Sequence, residues 1–255
     1  MTRKPVMLAA GLMMAACVHG QERLTFEVAS IKPSKPGGRG GGIKALPGGQ
    51  TYKAENVPVK LIISLMYKVP MRQISGGPGW IESDFWDIEA KAAHSYSLDD
   101  LHTMFQHLLE DEFKLTFHKN IKEGPVYALM ADKGGPKMTL NTSPQDFEIP
   151  IRGGPGGAVN GKRVPMNYFA WWLGQVLQQE QRPVIDKTGL DKFYDFQLAF
   201  MPELPPGFNR DNLPPEMLDR PSIFDALKQQ LGLRLEPQRG PIEYYVIDHA
   251  EKPAN

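Results

Sequence analysis

Histidines are the first side chains to consider for metal chemistry in this sequence. His102 and His107 lie five residues apart, so on a helix they point in different directions. A zinc peptidase instead places two histidines at i and i+4 on one helical face, next to a glutamate. His118 falls in a strand-like run, and His249 lies near the C-terminus. The spacing therefore predicts no metal site.

Acidic side chains offer a second chemistry, the paired carboxylates of a glycosidase. Asp87 and Glu89 share one face of a predicted strand, and Asp84 precedes them. The same aromatic-Asp-apolar pattern recurs around Asp195, however, which favours a scaffold role. We therefore expect Asp87 to bond a turn or a helix N-terminus, and we predict no catalytic residue.

Nucleophile and phosphate motifs are missing as well. No serine lies in the Gly-x-Ser-x-Gly pattern of a nucleophile elbow. The glycine clusters at 37–42 and 153–157 lack the Lys-Ser/Thr pair of a phosphate loop, so we interpret them as flexible connectors. We expect no cofactor.

Turn residues are the remaining candidates for binding a ligand or partner. Trp80 follows Gly79 in a Gly-Pro-Gly turn, so its ring either projects as a contact or folds back on the sheet. The second half carries a corresponding turn at Asp186, Lys187 and Thr188. The predicted binding residues are Trp80, Gly79, Asp87, Asp186, Lys187 and Thr188.

The charge balance limits the classes of partner. The chain has 255 residues, with 29 basic and 29 acidic side chains. Without the first twenty residues, which contain Arg3 and Lys4, 27 basic side chains remain against 29 acidic ones. A nearly neutral chain has no basic surface for nucleic acid or anionic lipid, so we expect neither as a partner.

The N-terminus has the pattern of a signal peptide at residues 1–20. Arg3 and Lys4 precede an apolar stretch from Val6 to Ala16, which is too short to span a membrane. Two alternatives remain open: cleavage before Gln21, or lipidation of Cys17 as a membrane anchor. Cys17 is the only cysteine, so cleavage before Gln21 leaves no thiol in the mature chain. We expect an exported protein that is periplasmic, associated with the outer membrane or secreted.

An internal repeat organises the rest of the chain. Val57-Pro58 and Val164-Pro165 each open a stretch with apolar residues at helical spacing. In both halves a glycine-containing turn, an aromatic-Asp strand and a second helix follow, and Ser97 with Asp100 forms a predicted capping box. We predict that each half closes with a hairpin-like pair of strands, at 113–129 and at 233–247.

These patterns predict an α+β fold of two tandem α-β-α-β-β repeats with mixed or antiparallel sheets. A leading strand at 24–32 precedes the first repeat. The predicted divisions are a first unit at 21–138, a Gly/Pro linker at 139–163 and a second unit at 164–255 with a Pro-rich insertion at 201–221.

The chain resembles a family of soil-associated proteins of unknown function, abundant in Acidobacteria, of the DUF3738 type. The matching motifs lie at 26–33, 76–80, 87–91, 126–129, 186–190, 194–196 and 246–249. The resemblance implies an exported protein and carries no catalytic residues with it. Related domains occur outside the membrane in proteins with a membrane-embedded metallopeptidase, which suggests binding or sensing. By the order of its elements, each half is also similar to the short N-terminal domain of secretins and TonB receptors.

Three functions follow as hypotheses. The first is an exported module for binding, sensing or protein interaction, whose partner is an envelope protein or a small ligand. The second is a structural component of an outer-membrane assembly. The third is a hydrolase of an envelope or extracellular polymer, which requires a deep pocket with convergent acids.

Overall fold

The computed structural model describes residues 23–35, 41–144, 149–154, 158–177, 180–204, 207, 213 and 215–254. The predicted signal peptide and Cys17 lie outside these residues, as do parts of both glycine clusters and of the Pro-rich insertion. The described part has the predicted α+β fold with a leading strand.

The described residues form six α-helices and twelve strands. The helices are α1 (Val59–Met66), α2 (Trp80–Ser83), α3 (Leu98–Glu112), α4 (Met166–Val176), α5 (Pro215–Leu218) and α6 (Ile223–Ala226). A 3-10 helix spans Met71–Gln73, and a π-helix, Leu227–Leu231, continues α6. The strands are β1 (Val28–Pro33), β2 (Gly42–Ala45), β3 (Thr51–Pro58), β4 (Ile74–Gly76), β5 (Phe85–Lys91), β6 (Thr116–Ala131), β7 (Thr139–Leu140), β8 (Ile151–Gly153), β9 (Val159–Pro165), β10 (Val184–Asp186), β11 (Phe193–Leu198) and β12 (Leu233–His249).

Two of the three sheets have the same architecture. The first has the order β1-β5-β3-β2 and the second β7-β11-β9-β8, and every pairing in both is antiparallel. Each strand thus has a counterpart six strands later in the chain. The leading strand β1 corresponds to β7, so the predicted repeat also includes the leading strand.

The segment predicted as a linker, 139–163, contains β7, β8 and most of β9. These strands were not recognised because β7 and β8 have only two and three residues, too few to show an alternating pattern. The segment therefore supplies strands to the second sheet.

The third sheet is built around a long two-stranded ribbon. β6 and β12 pair antiparallel along their whole length, with Gly124 opposite Gly240 at the centre. β4 adds to β12 and β10 adds to β6, both in parallel, so each short strand pairs with the long strand of the other half. The sheet order is β10-β6-β12-β4.

The prediction of a hairpin closing each half was wrong, because 116–131 is one strand that pairs with the other half. The Gly-Pro pairs at 124–125 and 240–241 resemble a turn in sequence. The Tyr127 N–H points away from β12, to the Pro183 carbonyl at 2.8 Å. Pro125 lies two residues before Tyr127, so its backbone nitrogen also faces away from β12. Its missing N–H therefore costs no hydrogen bond in the ribbon.

Each hydrophobic core uses both long strands. Core 1 packs α1 and α3 on the first sheet together with Phe117 of β6 and Tyr245 and Ile247 of β12. Core 2 packs α4, α6 and the π-helix on the second sheet together with Tyr127 and Leu129 of β6 and Leu233 and Leu235 of β12. The first half therefore cannot complete core 1 without the end of the second half.

Candidate functional site

Trp80, the predicted contact residue, takes the second of its two predicted alternatives. It begins α2 and is half-buried, and its ring stacks on Phe113 with centroids 6.2 Å apart. Trp86 packs edge-to-face on the Trp80 ring with centroids 6.3 Å apart, and the Lys252 ammonium lies 6.0 Å from the centroid of the Trp80 ring. Gly79 before it is exposed. Trp80 thus closes one end of core 1.

Asp87 and Asp195 have the same structural role in the two halves. Each accepts the backbone N–H of a residue with positive φ, Asn56 at 2.8 Å and Arg163 at 2.7 Å. Asn56 belongs to a β-bulge in β3 and Arg163 to a β-bulge in β9. In each bulge two residues lie opposite one aspartate on the neighbouring strand. The two bonds hold equivalent bulges, which agrees with the scaffold role inferred from the repeat, but the partner of Asp87 is a bulge within the sheet and not the expected turn or helix N-terminus.

The environment of Asp87 stabilises its charged form. The Asn56 N–H and then the Ser34 hydroxyl, at 2.7 Å, lower the pKa of Asp87 below its ordinary value. Asp84 is bound to Lys252 at 2.7 Å, and Glu89 to Lys53 at 2.9 Å. The three acids considered above for hydrolysis therefore have separate partners.

The second predicted turn closes on itself. The Asp186 carboxylate accepts the Thr188 N–H at 2.9 Å and the Thr188 hydroxyl at 2.8 Å. The Thr188 hydroxyl oxygen in turn accepts the Leu190 N–H at 3.1 Å, while Lys187 is exposed. These bonds fix the turn after β10, and Asp186 also lines the cleft described below.

The two histidines of α3 are placed apart, as their spacing predicts. His102 is buried in core 1, where its Nε2 lies 3.0 Å from the Tyr52 hydroxyl. Burial lowers the pKa of His102 to about 4. The Nδ1 of His107 lies 2.6 Å from the Leu24 carbonyl. In the described part of the chain, no three His, Cys, Asp or Glu side chains are grouped as metal ligands.

A cleft of about 530 Å³ lies where the two halves meet over the ribbon. We call it the central cleft. One wall is the segment after α1, the other is α4 with the segment around β10, and the centre of the ribbon forms the floor. Its lining residues are Tyr67, Lys68, Val69, Pro70, Gln73, Ile121, Asn167, Ala170, Trp171, Gly174, Pro183, Val184, Ile185, Asp186, Pro241, Ile242, Glu243 and Tyr245.

Aromatic rings support both walls of the central cleft. Tyr67 packs edge-to-face on Phe117 at 4.9 Å and lies 5.8 Å from Tyr245, whereas Trp171 packs on Tyr168 at 5.4 Å. The Tyr67 hydroxyl and the Trp171 indole N–H are buried and have no hydrogen-bond partner among the described residues. Burial raises the pKa of Tyr67 well above its ordinary value, so the hydroxyl keeps its proton.

The charged groups of the central cleft already have partners. Lys68 binds Asp99 at 2.6 Å, and Glu243 binds Lys119 at 3.1 Å. Asp186 accepts the two bonds of its own turn. The lining therefore offers mainly apolar surface, together with the Asp186 carboxylate, whose bonds among the described residues are to neutral groups of its own turn.

A family model described as a protein of unknown function, DUF3738, matches residues 60–250. The chain belongs to the DUF3738 family. No curated protein and no solved structure matches the chain. The DUF3738 region contains both halves of the ribbon and every residue that lines the central cleft. Among the described residues, none of the helices has the length and apolar character that crossing a bilayer requires.

Aligning the two halves on their Val-Pro pairs shows which residues of the DUF3738 cleft the sequence analysis did not predict. Trp171 is equivalent to Ser64, and Tyr67 is equivalent to Gly174. The Ser64 hydroxyl donates to the Val69 carbonyl at 2.6 Å, so it is satisfied where Trp171 is not. The repeat pattern pointed to residues shared by both halves, whereas these are residues in which the halves differ. Trp171 offered one signal, because a large aromatic side chain stands at the position where the first half has a serine.

Proposed function

We propose that this DUF3738 protein is an exported binding module that holds a small ligand in its central cleft. The observation that carries the proposal is the cleft itself, which forms at the junction of two repeated units and takes side chains from both. Its volume of about 530 Å³ lies in the range of sites for small organic ligands, and such sites often occur at the junctions of domains. The pattern of a signal peptide at 1–20 supports export.

Binding fits the described side chains better than hydrolysis of a polymer. Asp87 and Glu89 line one pocket of about 260 Å³, but Glu89 binds Lys53, Asp87 holds a bulge, and the residues that line this pocket include no histidine. The central cleft is lined mainly by apolar and aromatic residues. Such a lining recognises a ligand by burying its apolar surface.

Gly174 provides a test of the proposal. It lies on α4 in the wall of the cleft, and a Cβ there would meet only the Val184 nitrogen, at 3.7 Å. Gly174→Ala therefore fits the backbone, whereas the larger side chain of Gly174→Leu fills part of the cleft. Nile red, a neutral apolar dye that fluoresces when it leaves water, is titrated into the wild type and both variants.

We expect wild type and Gly174→Ala to bind one dye molecule with similar affinity, and Gly174→Leu to bind about tenfold or more weakly. Circular dichroism shows whether the Leu variant keeps its fold. If a folded Gly174→Leu protein binds Nile red as tightly as the wild type, the central cleft is not the binding site.

A further inference from the structure

We infer that a second copy of this chain pairs with the free side of β6, in an antiparallel contact centred on Ile121. We call the outward backbone groups of residues 119, 121 and 123 the open edge. The inference concerns a partner of the chain and does not depend on ligand binding in the central cleft.

The open edge is the part of β6 that has a neighbour on one side only. β12 pairs with β6 along its whole length, whereas β10 pairs only with residues 127–129. The Tyr127 N–H points away from β12, and backbone direction alternates along a strand, so the N–H groups of residues 123, 121 and 119 point away as well. Residues 118–123 are all exposed, and Ile121 is 61% exposed. No other described strand pairs with this stretch, so its N–H and C=O groups are available to a further strand.

The equivalent edge of the second half is closed. Gly240 corresponds to Gly124 in the repeat, so Pro237 of β12 corresponds to Ile121 of β6. Pro237 lies opposite Tyr127, so its backbone faces away from β6 and would meet an added strand. A proline has no N–H to donate, and proline on an edge strand prevents further pairing. The two halves therefore differ at the centre of this edge, and only the first offers a donor there.

The charges of the open edge fit a second copy of the same strand. Lysines on an edge strand usually hinder pairing. When two copies of β6 run antiparallel with Ile121 opposite Ile121, however, Lys119 of each copy lies opposite Glu123 of the other. Residues directly opposite each other share one face of the sheet, so both ion pairs can form. Lys119 already binds Glu243 of its own chain at 3.1 Å and has further N–H donors, and the Glu123 carboxylate has no partner among the described residues.

The neighbouring registers lack this match. A contact centred on Lys122 places that lysine opposite itself, which is repulsive. A contact centred on Asn120 places Lys119 opposite Ile121 and Glu123 opposite Phe117, so neither charge finds its opposite. The charge pattern therefore selects the register centred on Ile121.

The selected register also satisfies the backbone. The N–H groups of residues 119, 121 and 123 of one copy face the carbonyls of residues 123, 121 and 119 of the other, and the same holds in reverse. The Glu123 carbonyl accepts from the Arg239 side chain at 3.2 Å and has a second lone pair for the added strand. The two β6 strands thus join the ribbons of both copies into one continuous sheet.

The first test closes the open edge in the way that the second half is closed. Ile121→Pro removes the central donor, and the ribbon within the chain keeps its bonds because this N–H faces away from β12. Ile121→Val is the matched control, since it keeps the donor and the β-branched shape. The wild type and both variants are compared by sedimentation velocity between about 10 μM and about 1 mM, and circular dichroism shows whether each variant is folded.

We expect the wild type to dimerise within this range, Ile121→Val to change the dissociation constant by less than about threefold, and Ile121→Pro to weaken the dimer about tenfold or more. A wild type that stays monomeric throughout the range would overturn the second copy as the occupant and leave the edge to an extended segment of another protein. A dimer that a folded Ile121→Pro variant forms equally well would show that the chain pairs through a different surface.

The second test exchanges the charges and does not depend on the proline variant. Lys119→Glu places two glutamates opposite each other at both ion pairs of the dimer, and Glu123→Lys places two lysines there. Each variant alone should therefore dimerise about tenfold more weakly than the wild type. An equimolar mixture pairs glutamate with lysine at both positions, so it should form a heterodimer within about threefold of the wild-type affinity. If the mixture associates no better than either variant alone, the register centred on Ile121 is wrong.

Discussion

The two halves of this protein share their scaffold and differ in the walls of the central cleft. Asp87 and Asp195 hold equivalent bulges, and Ser97 and Ser222 cap equivalent helices through the N–H groups of Asp100 and Asp225. The cleft walls instead combine Tyr67 with Gly174 and Trp171 with Ser64. The fold is thus maintained by what the halves have in common, and the candidate site is built where they differ. An asymmetric cleft on a repeated scaffold suits a ligand without twofold symmetry.

A second difference lies in the cores. The buried polar side chains of the described residues, Ser64, Gln73, Ser97 and His102, all belong to the first half. Its helix α3 has 15 residues, whereas α6 has four and continues as a five-residue π-helix. Core 1 therefore contains a titratable group, His102, on a helix longer than its counterpart in core 2.

The largest predicted effect tests whether the two cores unfold together. Phe113 of core 1 and Leu231 of core 2 are almost fully buried at the ends of equivalent helices. Phe113→Ala should lower the free energy of unfolding by about 3–5 kcal/mol and Leu231→Ala by about 2–5 kcal/mol. Because the ribbon belongs to both cores, each variant should still unfold in one transition, measured in urea by tryptophan fluorescence and far-UV circular dichroism. Two separate transitions would show that the cores are independent.

The next prediction concerns His102 and pH. Burial lowers the pKa of His102 from 6.5 to about 4, so between these values the unfolded chain binds a proton that the folded chain does not. Stability should therefore fall as the pH decreases from 6.5 to 4, by up to about 3 kcal/mol. Asp84 and Asp87, whose pKa values are lowered, titrate below this window. Urea unfolding at several pH values measures the loss, and His102→Gln should remove it. An unchanged pH dependence in that variant would contradict the assignment.

The bulge aspartates provide a smaller effect that should be equal in the two halves. Asp87→Ala and Asp195→Ala each leave a backbone N–H without its acceptor and should cost about 1–2 kcal/mol in chemical unfolding. Asp87→Asn and Asp195→Asn retain an acceptor oxygen and should cost less. If only one of the two Ala variants is destabilised, the two aspartates do not have equivalent structural roles.

The smallest predicted effect has the opposite sign. Tyr67→Phe removes a buried hydroxyl that has no partner, so the ligand-free protein should become more stable by about 1 kcal/mol. The equivalent removal at Ser64, Ser64→Ala, breaks the bond to Val69 and should be destabilising. Thermal unfolding of the two variants compares them directly. Destabilisation by Tyr67→Phe would show that its hydroxyl is already satisfied in the fold.

Much of the fold could be predicted from the sequence. The Val-Pro helix starts, the capping box at Ser97 and the recurring aspartates are local patterns, and the structure contains each of them. The long ribbon could not be predicted, because the Gly-Pro pairs resemble turns and the pairing of 116–131 with 233–249 is set by tertiary structure.

The candidate site was harder to predict for a related reason. Of the predicted binding residues only Asp186 lines the central cleft, whereas Trp80 packs in core 1 and Asp87 holds a bulge. The cleft lies between α4 and the segment after α1, which are about a hundred residues apart in sequence, and no local pattern predicts that these two elements face each other.

The central claim, that a ligand binds between the two halves, is tested most directly by hydrogen–deuterium exchange with and without saturating Nile red. The account predicts slower exchange at 67–73 and 167–174 together, the two walls of the central cleft, and unchanged exchange in the outer strands β2 and β8. Protection of only one wall, or protection confined to residues outside the cleft, would contradict it.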